Sequence, residues 1–227
     1  KDILVNNIHG VDIDAQAVEV TKLSLLLKVL EGESGQLSLG LERALPDLGR
    51  NIQCGNSLIG EDYFAGRLVV DEEERRRVNP FEWQHAFPQV FARGGFDAVI
   101  GNPPYSYRNS TDEHLRTYYL LHYVVAEGNF ELYKFFIEKN TKILRKSGIM
   151  GIIVSSTFLL LTTFLKLRKH LLENVAVQEV SPLGPGVFEG ATVDTAILIT
   201  KNEDPSKNMI TIKNPYKPSD ILVAPPD

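Results

Sequence analysis

The sequence predicts an α/β fold in which helices pack against one open sheet. Short segments of strand-forming residues alternate with longer segments whose apolar residues recur at helical spacing, which is the order typical of this class. The chain has 227 residues, of which 43% are hydrophobic, so it is long enough to bury one sizeable core. It contains no internal repeat and no low-complexity tract that would favour another architecture.

Six short segments predict the strands of this sheet. They are residues 8–13, 51–54, 96–101, 149–155, 175–180 and 196–200. Because residues 149–155 are almost continuously apolar, we expect that strand to be buried on both faces of the sheet.

Three longer segments predict the helices. Residues 15–31 carry leucine and valine at helical spacing, and Asp14 is placed to cap that helix. Residues 130–146 predict an amphipathic helix that ends at residues 147–148, a Ser-Gly pair at which helices commonly stop. A third helix is expected near residues 163–173.

Two polar segments and a proline-rich tail complete the organisation. Residues 61–95 predict an irregular insertion with local helices, and residues 106–128 predict a mobile, tyrosine-rich loop with one or two helices. We therefore expect one domain over residues 1–200, followed by a linker over residues 201–227.

Composition and charge restrict the class of function. A formal net charge of −5 argues against a protein that binds nucleic acid by itself, although a catalytic core can rely on DNA-binding surfaces elsewhere. The single cysteine, Cys54, excludes an internal disulfide and is typical of a reducing compartment, so we expect a cytoplasmic protein. No segment approaches the roughly 18–20 apolar residues of a membrane span, and no membrane partner is expected.

Two polar signals follow the first two predicted strands. The carboxylate of Asp12 can accept hydrogen bonds from both hydroxyls of a ribose, although Asp12 and Asp14 could equally both serve as helix caps. The side-chain amide of Asn56 can both donate and accept, so it can bind the edge of an adenine. Gly-Asn is also an ordinary turn sequence, so this second signal is weak by itself.

The most informative signal is Asn102-Pro103-Pro104-Tyr105, which follows the apolar strand 96–101. Two prolines stiffen the loop and remove two backbone donors. An amine held between the Asn102 side-chain oxygen and the Pro103 carbonyl would donate both hydrogens, and its lone pair would point at an electrophile. Tyr105 could stack on the attached ring, a contact worth about 1–3 kcal/mol per base. The alternative is a stiff turn with Tyr105 packed in the core.

Together these segments resemble the amino-group DNA methyltransferases that modify adenine N6, and more narrowly the Eco57I/TaqI-like group. The matching segments, in the order of the family's motifs, are residues 10–14, 55–58, 102–105, 131–139 and 187–196. The resemblance implies a Rossmann-like S-adenosylmethionine-dependent methyltransferase sheet with helices on both faces. It further implies that residues 1–200 are a methyltransferase catalytic core.

The resemblance also implies a cofactor site. Asp12 would hold the ribose of S-adenosylmethionine, and Ile13 would pack on its adenine. Asn56 would contact the adenine edge, and its neighbour Ser57 would belong to the same cofactor site. Because the sulfonium methyl is already an activated electrophile, no metal is expected.

A flipped adenine in double-stranded DNA would be the target. Asn102, Pro103 and Pro104 would form the catalytic loop that grips the amine, and Tyr105 would stack on the base. Phe188 would take the outer edge of the base pocket. Tyr133 and Phe136 are weaker candidates, because apolar helix faces are more often core.

The family's first, glycine-rich cofactor motif does not precede Asp12 in this sequence. We therefore expect an N-terminally incomplete core that is inactive alone and binds the cofactor poorly. The parent protein would add a target-recognition domain and, in fused restriction–modification enzymes, an endonuclease domain.

Two alternatives remain open. Protein-glutamine and RNA-guanine methyltransferases use a similar loop, because their target amines can be held in the same way. A non-catalytic scaffold or specificity subunit could also keep this fold without a working cofactor site.

Overall fold

The computed structural model describes residues 1–31, 46–105, 113–128, 130–184, 187 and 194–213, and it forms two compact units. The first unit is Lys1–Pro88 and the second is Gln89–Asp227. Each unit has its own sheet, so each is described by itself. Within the described ranges, no helix is both long enough and apolar enough to cross a membrane.

The first unit is built around a short parallel strand pair. Its elements are α1 (Asp2–Asn7), β1 (Gly10–Asp12), α2 (Ala15–Glu31), β2 (Ile52–Cys54), a 3-10 helix (Glu61–Phe64), α3 (Glu72–Val78) and α4 (Trp83–Ala86). β1 and β2 pair in parallel, with Asp12 opposite Cys54. Leu4, Val18, Leu48 and Ile52 form a buried cluster against which α2 packs.

The second unit holds the larger sheet. Its elements are α5 (Pro88–Phe91, which starts at the last residue of the first unit), β3 (Phe96–Gly101), α6 (Glu113–His122), α7 (Leu132–Ile143), β4 (Leu144–Ser155), two 3-10 helices (Ser156–Leu159 and Thr162–Phe164), α8 (Leu165–Asn174), β5 (Ala176–Gly184), β6 (Thr195–Lys201), a 3-10 helix (Pro205–Lys207) and β7 (Thr211–Ile212). The strand order is β3-β4-β6-β5-β7. β3 is parallel to β4, and β7 is parallel to β5, whereas β6 runs antiparallel to both of its neighbours.

One face of this sheet is much better packed than the other. Along β4, Met150, Ile152 and Val154 are buried, whereas Ile149 is 46% exposed. On β3, Ile100 is 88% exposed. The expectation that residues 149–155 are buried on both faces is therefore wrong for the face that carries Ile149.

Local sequence patterns gave several element bounds correctly. α2 spans the predicted residues 15–31, and β3 spans the predicted residues 96–101. Local helices are present in the insertion 61–95, and α6 lies in the tyrosine-rich segment, of which residues 106–112 are outside the described residues.

The predicted end of the second long helix is wrong. α7 ends at Ile143, because Leu144 already adopts an extended backbone and begins β4. The side-chain amide of Asn202 donates to the carbonyls of Leu144 (2.9 Å) and Arg145 (3.2 Å), which holds this stretch in the strand. Ser147, with a φ of 64°, lies inside β4 and does not end a helix.

Residues 201–213 are attached to the second sheet. β7 pairs with β5, and the side-chain amide of Asn208 donates to the Val177 carbonyl at 2.5 Å. The structure thus places a strand inside the segment predicted to be a linker, and residues 214–227 of that segment are outside the described residues.

Candidate active site

The predicted cofactor residues lie at one edge of the first unit's sheet. Because β1 and β2 are parallel and Asp12 lies opposite Cys54, the loops that follow the two strands lie side by side. The Gly55 backbone N–H donates to the Asp12 carbonyl at 2.8 Å, which ties the two loops together. Asp12, Ile13, Asn56 and Ser57 are therefore brought to the same edge, where open α/β sheets bind ligands.

The two acidic residues in the first loop have different roles in the structure. Asp14 Oδ1 accepts a hydrogen bond from the Gln16 N–H at 2.8 Å and so caps α2, as predicted. Asp12 Oδ1 accepts from the Asp14 N–H at 2.8 Å, within the loop itself. The Asp12 carboxylate is exposed, and the side chain of Ile13 beside it is 56% exposed. An exposed carboxylate next to an exposed apolar side chain suits a ribose and its attached base.

The loop after β2 is fixed by backbone and side-chain hydrogen bonds. Asn56 Oδ1 accepts from the Leu58 N–H at 3.1 Å, and the Asn56 N–H donates to the Asn79 carbonyl at 2.6 Å. The Ser57 carbonyl accepts from the indole N–H of Trp83 at 3.0 Å. These bonds hold the Asn56 amide in place, and its NH₂ group can donate to a ring nitrogen of adenine.

A glycine is required at the start of this loop. A Cβ atom built on Gly55 would lie 2.5 Å from the ring of Phe81, which is buried. The side chain of Phe81 therefore sets how closely the loop can approach the core of the first unit.

The predicted catalytic loop begins where β3 ends, in the second unit. β3 ends at Gly101, which lies opposite Ile152 of the parallel strand β4, so the loop lies at the edge where β4 also ends. Asn102 is exposed, Pro103 is buried, and Tyr105 is half-buried. The buried Pro103 anchors the loop and leaves the side chain of Asn102 in solvent.

The side chain of Tyr105 contacts another tyrosine. Its ring meets the ring of Tyr133 edge to face, with 6.3 Å between the centroids and 88° between the planes. The Tyr105 hydroxyl is buried and makes no hydrogen bond within the described residues. Burial raises the pKa of Tyr105, so the phenol stays neutral near pH 7.

Tyr133 is supported by a pair of hydroxyl side chains that the sequence did not single out. Tyr133 is completely buried, and its hydroxyl lies 3.5 Å from Thr157 Oγ1, which in turn lies 2.9 Å from Ser155 Oγ. On its other side, the Tyr133 ring stacks on Phe164 at 5.8 Å. The position of Ser155 at the end of β4, the strand that pairs with β3, is the sequence signal that could have pointed to this pair.

The remaining predicted residues are only partly covered. Phe188 lies outside the described residues. Of the matching segment 187–196, Asp194 is described, and its carbonyl accepts from the Ser156 N–H at 2.8 Å and from Ser156 Oγ at 3.2 Å. Phe136 is half-buried on α7. In the described parts of the chain, no group of three or more His, Cys, Asp or Glu side chains could hold a metal ion.

Comparison with known proteins identifies the family. Residues 6–188 match the family described as Eco57I restriction-modification methylase. The type II restriction enzyme and methyltransferase RM.Eco57I of Escherichia coli is 32% identical over 90% of this chain and 20% of its own length. The adenine-specific methyltransferase PglX of Streptomyces coelicolor is 24% identical over 68% of this chain and 14% of its own length. The chain thus spans about a fifth of the length of RM.Eco57I.

Solved structures confirm the predicted fold class. A nuclease-deletion mutant of the Type ISP restriction-modification enzyme LlaGI, solved with a DNA substrate mimic, superposes with a TM-score of 0.63 at 16% identity. The match covers 93% of this chain and 18% of that one, and at this identity it shows a shared fold alone. The family match over residues 6–188 goes further, and this chain belongs to the Eco57I restriction-modification methylase family.

Proposed function

We propose that this chain is the catalytic core of a DNA methyltransferase that transfers a methyl group from S-adenosylmethionine to N6 of a flipped adenine. The observation that carries the proposal is the loop Asn102–Tyr105 at the end of β3, with an exposed amide, a buried proline and a half-buried aromatic ring. Membership of a methylase family and the adenine specificity named for PglX support the same reaction.

On the target side, the loop would act as an acceptor for an amine. The exposed Asn102 Oδ1 and the carbonyl of the anchored Pro103 would each accept one N–H of the adenine amino group. The lone pair of the amino nitrogen would then be free to attack the sulfonium methyl of the cofactor. Tyr105 would stack on the flipped base and offset part of the few kcal/mol that extrusion costs.

On the cofactor side, the first unit would hold the adenosine half of S-adenosylmethionine. Asp12 would accept from the ribose hydroxyls, Ile13 would pack on the adenine, and Asn56 with Ser57 would line its edge. When bound, the cofactor supplies a methyl group that is already activated for displacement. Catalysis by these residues would therefore consist of positioning and the exclusion of water.

The wider context is also a proposal. Double-stranded DNA would be the substrate, and a target-recognition domain, with an endonuclease domain in a fused enzyme, would belong to the full-length protein. Residues 1–200 would form the catalytic core and the remainder would lead toward the recognition domain. We place the protein in the cytoplasm, where it would meet the DNA of the cell and of incoming phage.

Transfer of a tritiated methyl group tests the substrate class. The full-length protein is incubated with labelled S-adenosylmethionine and unmethylated genomic DNA, total RNA or cell protein. We expect label in DNA, lost in Asn102→Ala and retained in Asn174→Ala, an exposed asparagine whose amide donates to the His170 carbonyl. Label that enters only RNA or protein would favour the guanine or glutamine alternatives, and no label in any fraction would favour a non-catalytic scaffold.

A further inference from the structure

The ring of Tyr105 contacts the ring of Tyr133 within the described structure. The Tyr105 hydroxyl makes no hydrogen bond to a described residue, so none of the described residues sets the ring plane through such a bond. The edge-to-face contact at 6.3 Å with Tyr133 is the described aromatic contact that Tyr105 makes. The position of Tyr133 therefore bears directly on the plane that Tyr105 presents.

Tyr133 itself is held from two sides. It is 0% exposed on α7, and Phe164 stacks behind it with 26° between the ring planes. Its hydroxyl meets Thr157 Oγ1 at 3.5 Å, a long contact that is weaker than a well-formed hydrogen bond. Thr157 is fixed in turn, because Ser155 caps its 3-10 helix by accepting from the Thr157 N–H. The ring packing is thus the larger constraint and the hydroxyl contact the smaller one.

We propose that Tyr133 is a positioning residue, which sets the ring plane of Tyr105 for stacking on the target base. The inference rests on the proposed function, since it assigns a role within the same site. It distinguishes Tyr133 from an ordinary core residue, because its contribution to catalysis passes through the ring of Tyr105. Removing the Tyr105 ring should therefore remove the catalytic effect of changing Tyr133.

A double-mutant cycle on the full-length protein tests this dependence. The rate of N6-methyladenine formation in unmethylated DNA is measured for Tyr133→Leu, Tyr105→Ala and the double variant. We expect Tyr133→Leu alone to lower kcat about tenfold, as the loss of one aromatic contact would. In the Tyr105→Ala background, the same change should alter kcat by less than about twofold. Tyr133→Phe should recover most of the lost activity, because it restores the ring and lacks only the long hydroxyl contact.

Tyr119→Leu is the matched control for removing a buried aromatic ring. Tyr119 is 3% exposed and stacks on Phe135 at 4.7 Å, in the same unit. Its effect on kcat should be the same with and without the Tyr105 ring. If Tyr133→Leu does not fold by circular dichroism, Phe164→Leu, which removes the ring behind Tyr133, takes its place with the same expected coupling.

The outcomes separate this inference from the proposed function. If the wild-type protein is active but Tyr133→Leu lowers kcat by the same factor with and without the Tyr105 ring, the positioning role alone is overturned. A wild-type protein that forms no N6-methyladenine overturns both.

Discussion

The loop after β1 and the loop after β3 both follow parallel strands, yet different interactions hold them in place. The first loop is fixed by hydrogen bonds of the backbone and of a short polar side chain. Asp12 Oδ1 accepts from the Asp14 N–H, and the Asp12 carbonyl accepts from the Gly55 N–H. The second is anchored by the buried Pro103 and by the contact of Tyr105 with Tyr133. Under the proposed function, the hydrogen-bonded turn would present polar groups to the cofactor, whereas the ring supported by another ring would present a flat apolar face to the target base.

If the loop after β1 binds the cofactor and the loop after β3 binds the target base, substitutions in the two loops should change different kinetic parameters. The largest effect is expected from Asn102→Ala, because it removes an acceptor whose interaction grows as positive charge develops on the attacking amine. We expect kcat to fall by about 100-fold or more, by analogy with removing one preorganised hydrogen bond at a developing charge. The KM for S-adenosylmethionine should stay nearly constant, as measured by initial-rate kinetics on the full-length protein. A large increase in that KM with a normal kcat would contradict the assignment of Asn102 to the target base.

Asp12→Asn should give the opposite signature. Asparagine keeps the size of the side chain but loses the charge that strengthens hydrogen bonds from ribose hydroxyls. We expect the KM for S-adenosylmethionine to rise by about tenfold, with a smaller change in kcat, since a hydrogen bond to a charged group contributes about 1.5–3 kcal/mol. Isothermal titration of the cofactor provides an independent reading of the same loss. Unchanged cofactor affinity would mean that Asp12 stabilises the loop, through its hydrogen bond with the Asp14 N–H, and does not bind the cofactor.

Alkaline pH should affect the second unit through Lys134. Its side chain is completely buried on α7, one residue after Tyr133, and its ammonium donates to the Glu127 carbonyl at 2.8 Å. Burial lowers the pKa of Lys134 to about 8 from 10.5, against the opposing charges of Glu131 and Glu127. Between these values the unfolded chain binds more protons than the folded one. The free energy of unfolding should therefore rise with pH over that window, by roughly 3 kcal/mol at most.

Urea unfolding from about pH 7.5 to 10.5 measures this rise as the difference between wild type and Lys134→Met. The variant lacks the titrating group and should lose that part of the pH dependence. Lys169→Met, a change at an exposed lysine of α8, should keep the wild-type profile. Identical profiles for wild type and Lys134→Met would contradict a lowered pKa at this site.

The smallest effect is expected at Asp14, and it separates the two acids of the first loop. Asp14→Ala removes the cap of α2 and should lower the free energy of unfolding by about 0.5–2 kcal/mol. The KM for the cofactor should change little, in contrast to Asp12→Asn. Glu19→Ala, at an exposed position of the same helix, should stay within about 0.5 kcal/mol of wild type. A cofactor defect in Asp14→Ala as large as that of Asp12→Asn would remove the distinction.

Which features could be predicted from the sequence depends on how far apart along the chain the interacting residues lie. α2, its Asp14 cap and β3 depend on neighbouring residues and were predicted with correct bounds. The end of α7 depends on Asn202, 58 residues after Leu144 in the chain, and was predicted wrongly. Likewise, hydropathy predicted an apolar stripe on α2 but could not show that Leu23 and Leu27 are exposed.

The candidate site shows the same limit. Local motifs selected Asp12, Asn56 and the loop 102–105, and the structure places the first two on adjacent strand ends. The contact of Tyr133 with Thr157 joins residues 24 positions apart, and the motifs used for the prediction did not include Thr157. The sequence thus selected residues with recognisable chemistry and the local cap Asp14, whereas the long-range contact between Tyr133 and Thr157 depends on the fold.

The identity of the methylated nucleoside tests the central claim most directly. Unmethylated DNA is incubated with the full-length protein and S-adenosylmethionine, digested to nucleosides and separated by liquid chromatography with mass spectrometry. The account predicts N6-methyladenine as the product, absent from the Asn102→Ala reaction. N4-methylcytosine as the sole product, or N6-methyladenine undiminished in Asn102→Ala, would contradict it.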